Sequence, residues 1–316
     1  MPRLSTLAPL IAGLALTQTV LTQPAHAADP ASCKAVRLAE PGWNDLAFTT
    51  GTAQVVLTAL GYDASANLLG LPVIYESLKT GDLDAFLGYW DPAMQTYAAP
   101  YLADGSVTQL GLNLTGAKYT FAVPDYVAAA GVKSFNDLAA HADAFERKMY
   151  GIEPGSNQLM FDVIADPAFG LEGWEVVESS ETGMLTEVKR KVERGEFIVF
   201  QGWAPHPMNT AFNMVYLTGG DAHYGPDFGA ATVSSQIRAG YDSACPNVTA
   251  LLRNMVFTVE FESKGMGLLI NDGATPVEAA TQMLKAEPQV LDAWLNGVTT
   301  LDGEPGLPAV KAALGL

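Results

Sequence analysis

Three short phrases bring a tryptophan to the same kind of place in this chain. They are Pro41-Gly42-Trp43-Asn44-Asp45, Ala85-Phe86-Leu87-Gly88-Tyr89-Trp90-Asp91-Pro92 and Ile198-Val199-Phe200-Gln201-Gly202-Trp203-Ala204-Pro205-His206-Pro207. A single tryptophan is most simply explained by core packing. Three that follow predicted strands, two of them with a proline close behind, point instead to a shared aromatic site. In open α/β sheets such a site lies just outside the carboxyl ends of the strands. Ring faces recognise a ligand; they do not make or break bonds. The signals of catalysis are missing to match. His141, His206 and His223 show neither HExxH spacing nor a helical pair, and there is no G-x-S-x-G elbow or phosphate-binding glycine loop. His206, between Pro205 and Pro207, reads as part of a rigid turn. No enzyme and no cofactor is expected.

The elements that must position these rings alternate between strand-like and helix-like. Ala35–Leu38, Leu71–Tyr75, Ala85–Leu87, Tyr119–Val123, Lys148–Ile152, Trp174–Val177 and Ile198–Phe200 read as short strands. Asp45–Leu60, Asn136–Phe145, Gln158–Ala165 and Met184–Arg194 read as helices, the last with Leu185, Val188 and Val192 on one stripe. Alternation at this spacing predicts an α/β chain built from βαβ units, with mainly parallel central sheets. Two β-rich passages, near Leu112–Val123 and Met214–Thr218, look like crossings of a chain that leaves one lobe and later returns. The expected division is a leader at 1–27, lobe 1 from 28–115 and 214–316, and lobe 2 from 116–213. Trp43 and Trp90 then sit on one lobe and Trp203 on the other.

The leader is a predicted signal peptide. Arg3 is its only charged side chain, Leu4–Val20 is mostly apolar, and Ala25-His26-Ala27 fits a cleavage site. No later stretch approaches the roughly 20 apolar residues of a membrane span. The mature chain is therefore expected to be exported to the periplasm and soluble. The full chain carries 17 Lys+Arg against 34 Asp+Glu, a net charge of −17. Such acidity repels nucleic acid and anionic lipid, and attracts cations weakly. The only two cysteines, Cys33 and Cys245, make a poor metal site. In an exported protein an even pair invites a disulfide, which would join the first strand to the last third of the chain.

Over nearly the whole mature length the sequence resembles the periplasmic choline-binding proteins of ABC importers. These are a branch of the quaternary-amine-binding type II periplasmic binding proteins. The resemblance is carried by Gly42-Trp43-x-Asp45, Phe86-Leu87-Gly88-x-Trp90, Leu114-x-Gly116-Ala117-Lys118-Tyr119-Thr120, Tyr150-Gly151-Ile152-Glu153-Pro154-Gly155, Val177-Glu178-Ser179-Ser180-Glu181, Gly202-Trp203-x-Pro205-His206-Pro207-Met208-Asn209 and Cys245-Pro246-Asn247-Val248. It implies a two-lobed fold with two hinge crossings and an aromatic box of Trp43, Trp90, Tyr119 and Trp203 around a trimethylammonium group. It also implies Asp45 beside the box and a Cys33–Cys245 bridge. The family's asparagine after Glu-Pro-Gly, which meets the choline hydroxyl, falls where this chain reads Ser156-Asn157, so both are candidates for that contact.

The physics of the ligand agrees with this resemblance. A quaternary ammonium has no N–H to donate, and its diffuse charge suits aromatic faces, each worth about 0.5–2 kcal/mol when desolvated. Asp45 would supply the full negative charge, and near a helix start it could equally serve as a cap or first-turn acid. The expected partners are choline, or acetylcholine, and the membrane permease of an ABC transporter, with the protein acting as a monomer. Glycine betaine, carnitine or trimethylamine N-oxide is the alternative ligand class, and a sensor subunit the alternative role.

Overall fold

The computed structural model describes residues 28–316. The signal-peptide reading of 1–27 lies outside them. From the N-terminus the chain runs through β1 (Ala35–Glu40), α1 (Asn44–Ala59), β2 (Asp63–Leu68), α2 (Leu71–Thr80), β3 (Ala85–Asp91), α3 (Gln95–Ala103) and the long β4 (Val107–Pro124). Next come β5 (Lys148–Tyr150), β6 (Glu175–Val177), β7 (Phe200–Ala204), β8 (Met214–Tyr216) and β9 (Ala230–Arg238), and a helical C-terminal segment closes the chain. The strands form one path in the order β2-β1-β3-β9-β4-β7-β5-β6, with β8 paired to β4.

The two ends of this path are parallel and its middle is antiparallel. β1 pairs in parallel with β2 and β3, and β5 with β6 and β7. Between these ends, β4 and β9 run antiparallel to each other from Val107↔Arg238 to Lys118↔Ala230. β4 then continues into the other half, where Lys118–Ala122 pair with β7 and Ala122–Pro124 with β8. Its pairing with β9 shifts register three times, between Gln109 and Gly111, Leu112 and Leu114, and Leu114 and Ala117. Such irregularities bend a strand and sharpen its twist, so one continuous element serves both halves of the sheet.

Three local readings of the sequence are corrected. Leu71–Tyr75 is the start of α2, not a strand: Gly70 caps it, Pro72 sits in its first turn, and Leu71, Ile74, Tyr75 and Leu78 are buried at helical spacing. Asn136–Phe145 is not one helix but two 3-10 turns, Phe135–Asp137 and Ala139–His141. The Asp137 carboxylate there accepts the backbone N–H groups of Lys133 and Ser134, which fixes a tight turn. Residues 214–218 contain β8, which pairs with the far end of β4, and the strand that runs back beside β4 is β9.

Cys33 and Cys245 are bonded, with their Cα atoms 5.7 Å apart. Nearby, the buried Asp29 carboxylate accepts the N–H groups of Asn247 (2.8 Å) and Val248 (3.0 Å) at the first turn of the helix Pro246–Asn254. The start of the described chain is therefore fixed both covalently and by helix-end hydrogen bonds to its last third. No described helix is long and apolar enough to cross a membrane.

Candidate functional site

A cleft of about 560 Å³, counted with its open mouth, lies between the two halves of the sheet. Trp43, Trp90, Tyr119 and Trp203 all line it, together with Asp45 and Ser156. All four rings are at least nine-tenths buried. Three local devices bring them there. Trp43 is the N-cap of α1, reached through Gly42 at φ +97°, a backbone that side-chain-bearing residues rarely adopt. Trp90 is the next-to-last residue of β3. Tyr119 and Trp203 are direct cross-strand partners on β4 and β7, so both side chains leave the same face.

Glycine sets the depth of the Trp90 wall. A Cβ on Gly88 would stand 2.6 Å from Leu46 Cδ1, so only glycine lets β3 pass this close to α1. Across the cleft, the Trp90 and Tyr119 ring centroids are 6.2 Å apart at 48°, within the usual range for an aromatic pair. Behind Tyr119 stands the buried Tyr224 ring, 5.9 Å away. Trp203 packs edge-on against His206 at 5.1 Å.

Two of the indole N–H groups are tied to carboxylates. Trp90 Nε1 donates to Asp45 Oδ2 at 3.0 Å and Trp43 Nε1 to Glu153 Oε2 at 2.8 Å. These bonds satisfy the polar edges of two of the rings. Asp45 is both a first-turn acid of α1 and a residue of the cleft lining. Burial, reinforced by the nearby Glu181 charge, pushes its carboxyl up to about 7. Burial also raises Glu153 and Glu40, and it pushes the Tyr119 hydroxyl up. The Tyr119 hydroxyl donates to the Ser156 carbonyl at 3.4 Å.

Asn157 does not reach the cleft. Its amide accepts the Ile152 N–H at 2.8 Å and donates to the Ile152 carbonyl at 2.9 Å and to Glu178 Oε1 at 3.0 Å, so it stiffens the loop instead. The sequence reading missed the remaining lining, which includes Leu71, Met94, Thr96, Tyr97, Ile152 and Gln158. Two of them carried a signal: Met94 closely follows the Trp90-Asp91-Pro92 phrase, and Ile152 lies within the Tyr150–Gly155 phrase. Among the described residues, no Lys, Arg or His lines the cleft. Nor, among them, is any cluster of three or more His, Cys, Asp or Glu arranged to hold a metal. The cleft is therefore lined by aromatic rings, one carboxyl and the polar Thr96, Ser156 and Gln158, a combination suited to a compact organic cation.

Known proteins resemble this chain to different degrees. Residues 34–286 match OpuAC, described as the substrate binding domain of ABC-type glycine betaine transport system. A structure of an "ABC-transporter choline binding protein in complex with choline" superposes with a TM-score of 0.89 at 50% identity, covering 91% of this chain and 100% of that one. Lactococcal OpuAC, closed around glycine betaine, gives a TM-score of 0.75 at 26% identity over 83% of this chain and 99% of that one. The glycine betaine/carnitine transport binding protein GbuC of Listeria monocytogenes is 30% identical over 156 residues, which is 49% of this chain and 51% of that protein.

Proposed function

Because the chain belongs to the OpuAC family of ABC-transport substrate-binding domains, we propose that it captures choline in this cleft and hands it to the membrane permease of an ABC importer. The family and its near structural relatives are transport binding proteins, not enzymes. The fold is that of the two-lobed type II periplasmic binding proteins. The protein does this in the periplasm, with the cleft between its two lobes.

One observation carries the choice of ligand. Five aromatic side chains, Trp43, Trp90, Tyr97, Tyr119 and Trp203, and Asp45 line a cleft that no described basic side chain lines. A trimethylammonium head gains from ring faces and from a carboxylate, and choline carries no anionic group in need of a partner. Glycine betaine and carnitine bring a carboxylate, which would meet Asp45 and find no Lys or Arg among the described lining residues. The rings of Trp43, Trp90, Tyr119 and Trp203 hold the head, Asp45 balances its charge, and Ser156 is the polar lining residue for the hydroxyl. Acetylcholine shares the head and is a related candidate.

In this reading lobe 1 comprises 28–115 and 214–316, and lobe 2 comprises 116–213, joined through β4 and the returning chain. Taking β9 as the return limb moves that second boundary from 214 to near Ala230, so the lobes we propose are 28–115 with about 230–316, and 116 to about 229. The ligand stabilises the closed form only through the contacts it gains there. A second reading, glycine betaine, is favoured by the family description and by GbuC. Titration calorimetry with choline, acetylcholine, betaine and trimethylamine N-oxide separates the two. We expect choline to bind at least about tenfold tighter than betaine, and equal affinities would overturn the charge argument.

A further inference from the structure

The fully buried Glu181 lies behind the aromatic cleft at the first turn of the helix Glu181–Arg194. Its carboxylate accepts the Asn44 backbone N–H at 3.1 Å and the Asn44 side-chain amide, from a residue 137 positions away at the start of α1. His206 completes the set. Met208 N–H donates to His206 Nδ1 at 2.9 Å, which leaves the ring proton on Nε2, 3.1 Å from Glu181 Oε1. The Glu181 backbone N–H in turn donates to Glu153 Oε1 at 3.0 Å, and Glu153 Oε2 takes the Trp43 indole N–H. One acid thus touches the supports of two opposing rings: Trp43 through Asn44 and Glu153, and Trp203 through His206.

We propose that Glu181 is a positioning residue for ligand retention, the latch that holds the α1 turn bearing Trp43 and Asp45 against the opposite half of the sheet. This rests on the reading of the cleft as a closing cation site. Three donors on one buried carboxylate make a strong clasp, because charge-assisted hydrogen bonds in a dry setting exceed neutral ones. The clasp also carries a cost. In this arrangement Glu181 stands close enough to Asp45, Glu40 and Glu153 for their charges to repel one another. A positive ligand offsets that repulsion and a zwitterion offsets it poorly, so the latch holds best around a cation.

The test is stopped-flow kinetics with choline on the full mature chain. Glu181→Ala removes all three of these contacts and is expected to raise koff at least about tenfold, a floor set by the worth of a single charge-assisted hydrogen bond, while kon changes less than about threefold. Asn44→Ala, which removes only one donor, should raise koff by less and should add little on top of Glu181→Ala. Glu181→Gln keeps size and one acceptor and should fall between; it carries the test should the alanine variant not fold. An unchanged koff would overturn the latch. So would an effect confined to kon, which marks a remote charge only, or independent effects of the two alanine variants. Trp203→Ala run in parallel keeps the readings apart. If it loses binding while Glu181→Ala keeps the parent koff, the latch fails and the aromatic site stands.

Discussion

Asp45 makes ligand affinity a function of pH, and the size of the effect follows from its surroundings. Its carboxyl is 3% exposed, sits near the Glu181 charge and is pushed up to about 7. In the empty cleft near neutrality it is therefore about half protonated. A cation beside it favours the ionised form, so binding must expel the proton wherever one is present. With the site at about 7, the ionised fraction is roughly one tenth at pH 6 and nine tenths at pH 8. Choline affinity should then rise about tenfold from pH 6 to pH 8, or about 1.4 kcal/mol. The stability of the unliganded protein moves the other way. A raised folded-state value favours the protonated fold, so this contribution is complete below the ordinary aspartate value and is lost as pH climbs through about 7. The distance between those two values caps the contribution at roughly 4 kcal/mol. Calorimetry at pH 6 in two buffers of different ionisation enthalpy should report nearly one proton released per choline bound. Asp45→Asn should abolish both the release and the slope. An affinity flat between pH 6 and 8, or a slope that survives Asp45→Asn, would refute this account of the site.

The other predictions probe the scaffold. Trp203→Ala should weaken choline binding more than about tenfold by titration, since it removes a ring worth about 0.5–2 kcal/mol and admits water. Phe in place of Tyr119 should cost much less, because it keeps the ring face and loses only a long 3.4 Å hydrogen bond. Gly88→Ala forces a Cβ to 2.6 Å from Leu46, next to Asp45, and thermal unfolding should show a loss of about 1–3 kcal/mol together with weaker binding. Thiol labelling of denatured, unreduced protein should find no free cysteine, and replacing both Cys33 and Cys245 by Ser should cost about 2–4 kcal/mol.

What the sequence revealed and what it hid divide along physical lines. The helix Gln158–Ala165 has the limits its pattern suggests, and the amphipathic Met184–Arg194 stretch gains only one turn at its start. The three tryptophans stood out because each follows an apolar run that a sheet has to bury, whereas Tyr119 rested on the family resemblance alone. α2 was hidden because Leu-Pro-Val-Ile-Tyr is rich in strand-favouring side chains, while the Gly70 and Pro72 start signals were the stronger fact. β2, Asp-Ala-Ser-Ala-Asn-Leu, is a polar strand at the end of the sheet, paired only to β1 among the described strands. β9 was disguised by the buried Ser234, Ser235 and Gln236. Two of these become intelligible only when Gln109 is seen donating to Ser234 and Asn113 to Ser235, partners far away in sequence. The same holds for the cleft. Asn157 could be read either as a ligand contact or as a loop brace, and nothing local in the sequence separates the two.

The pairing of Lys118 with Ala230 has a consequence for how such a protein can change. The chain that departs after Lys118 comes back beside it, so everything between enters and leaves through one narrow doorway. A segment with neighbouring ends can be exchanged for that of a relative without rerouting the remaining backbone. Such an exchange would carry Tyr119, Glu153, Glu181 and Trp203 together and leave Trp43, Asp45 and Trp90 in place. A chimera built at these two positions would inherit its preference half from each parent, and selectivity in this architecture can be recombined as well as mutated.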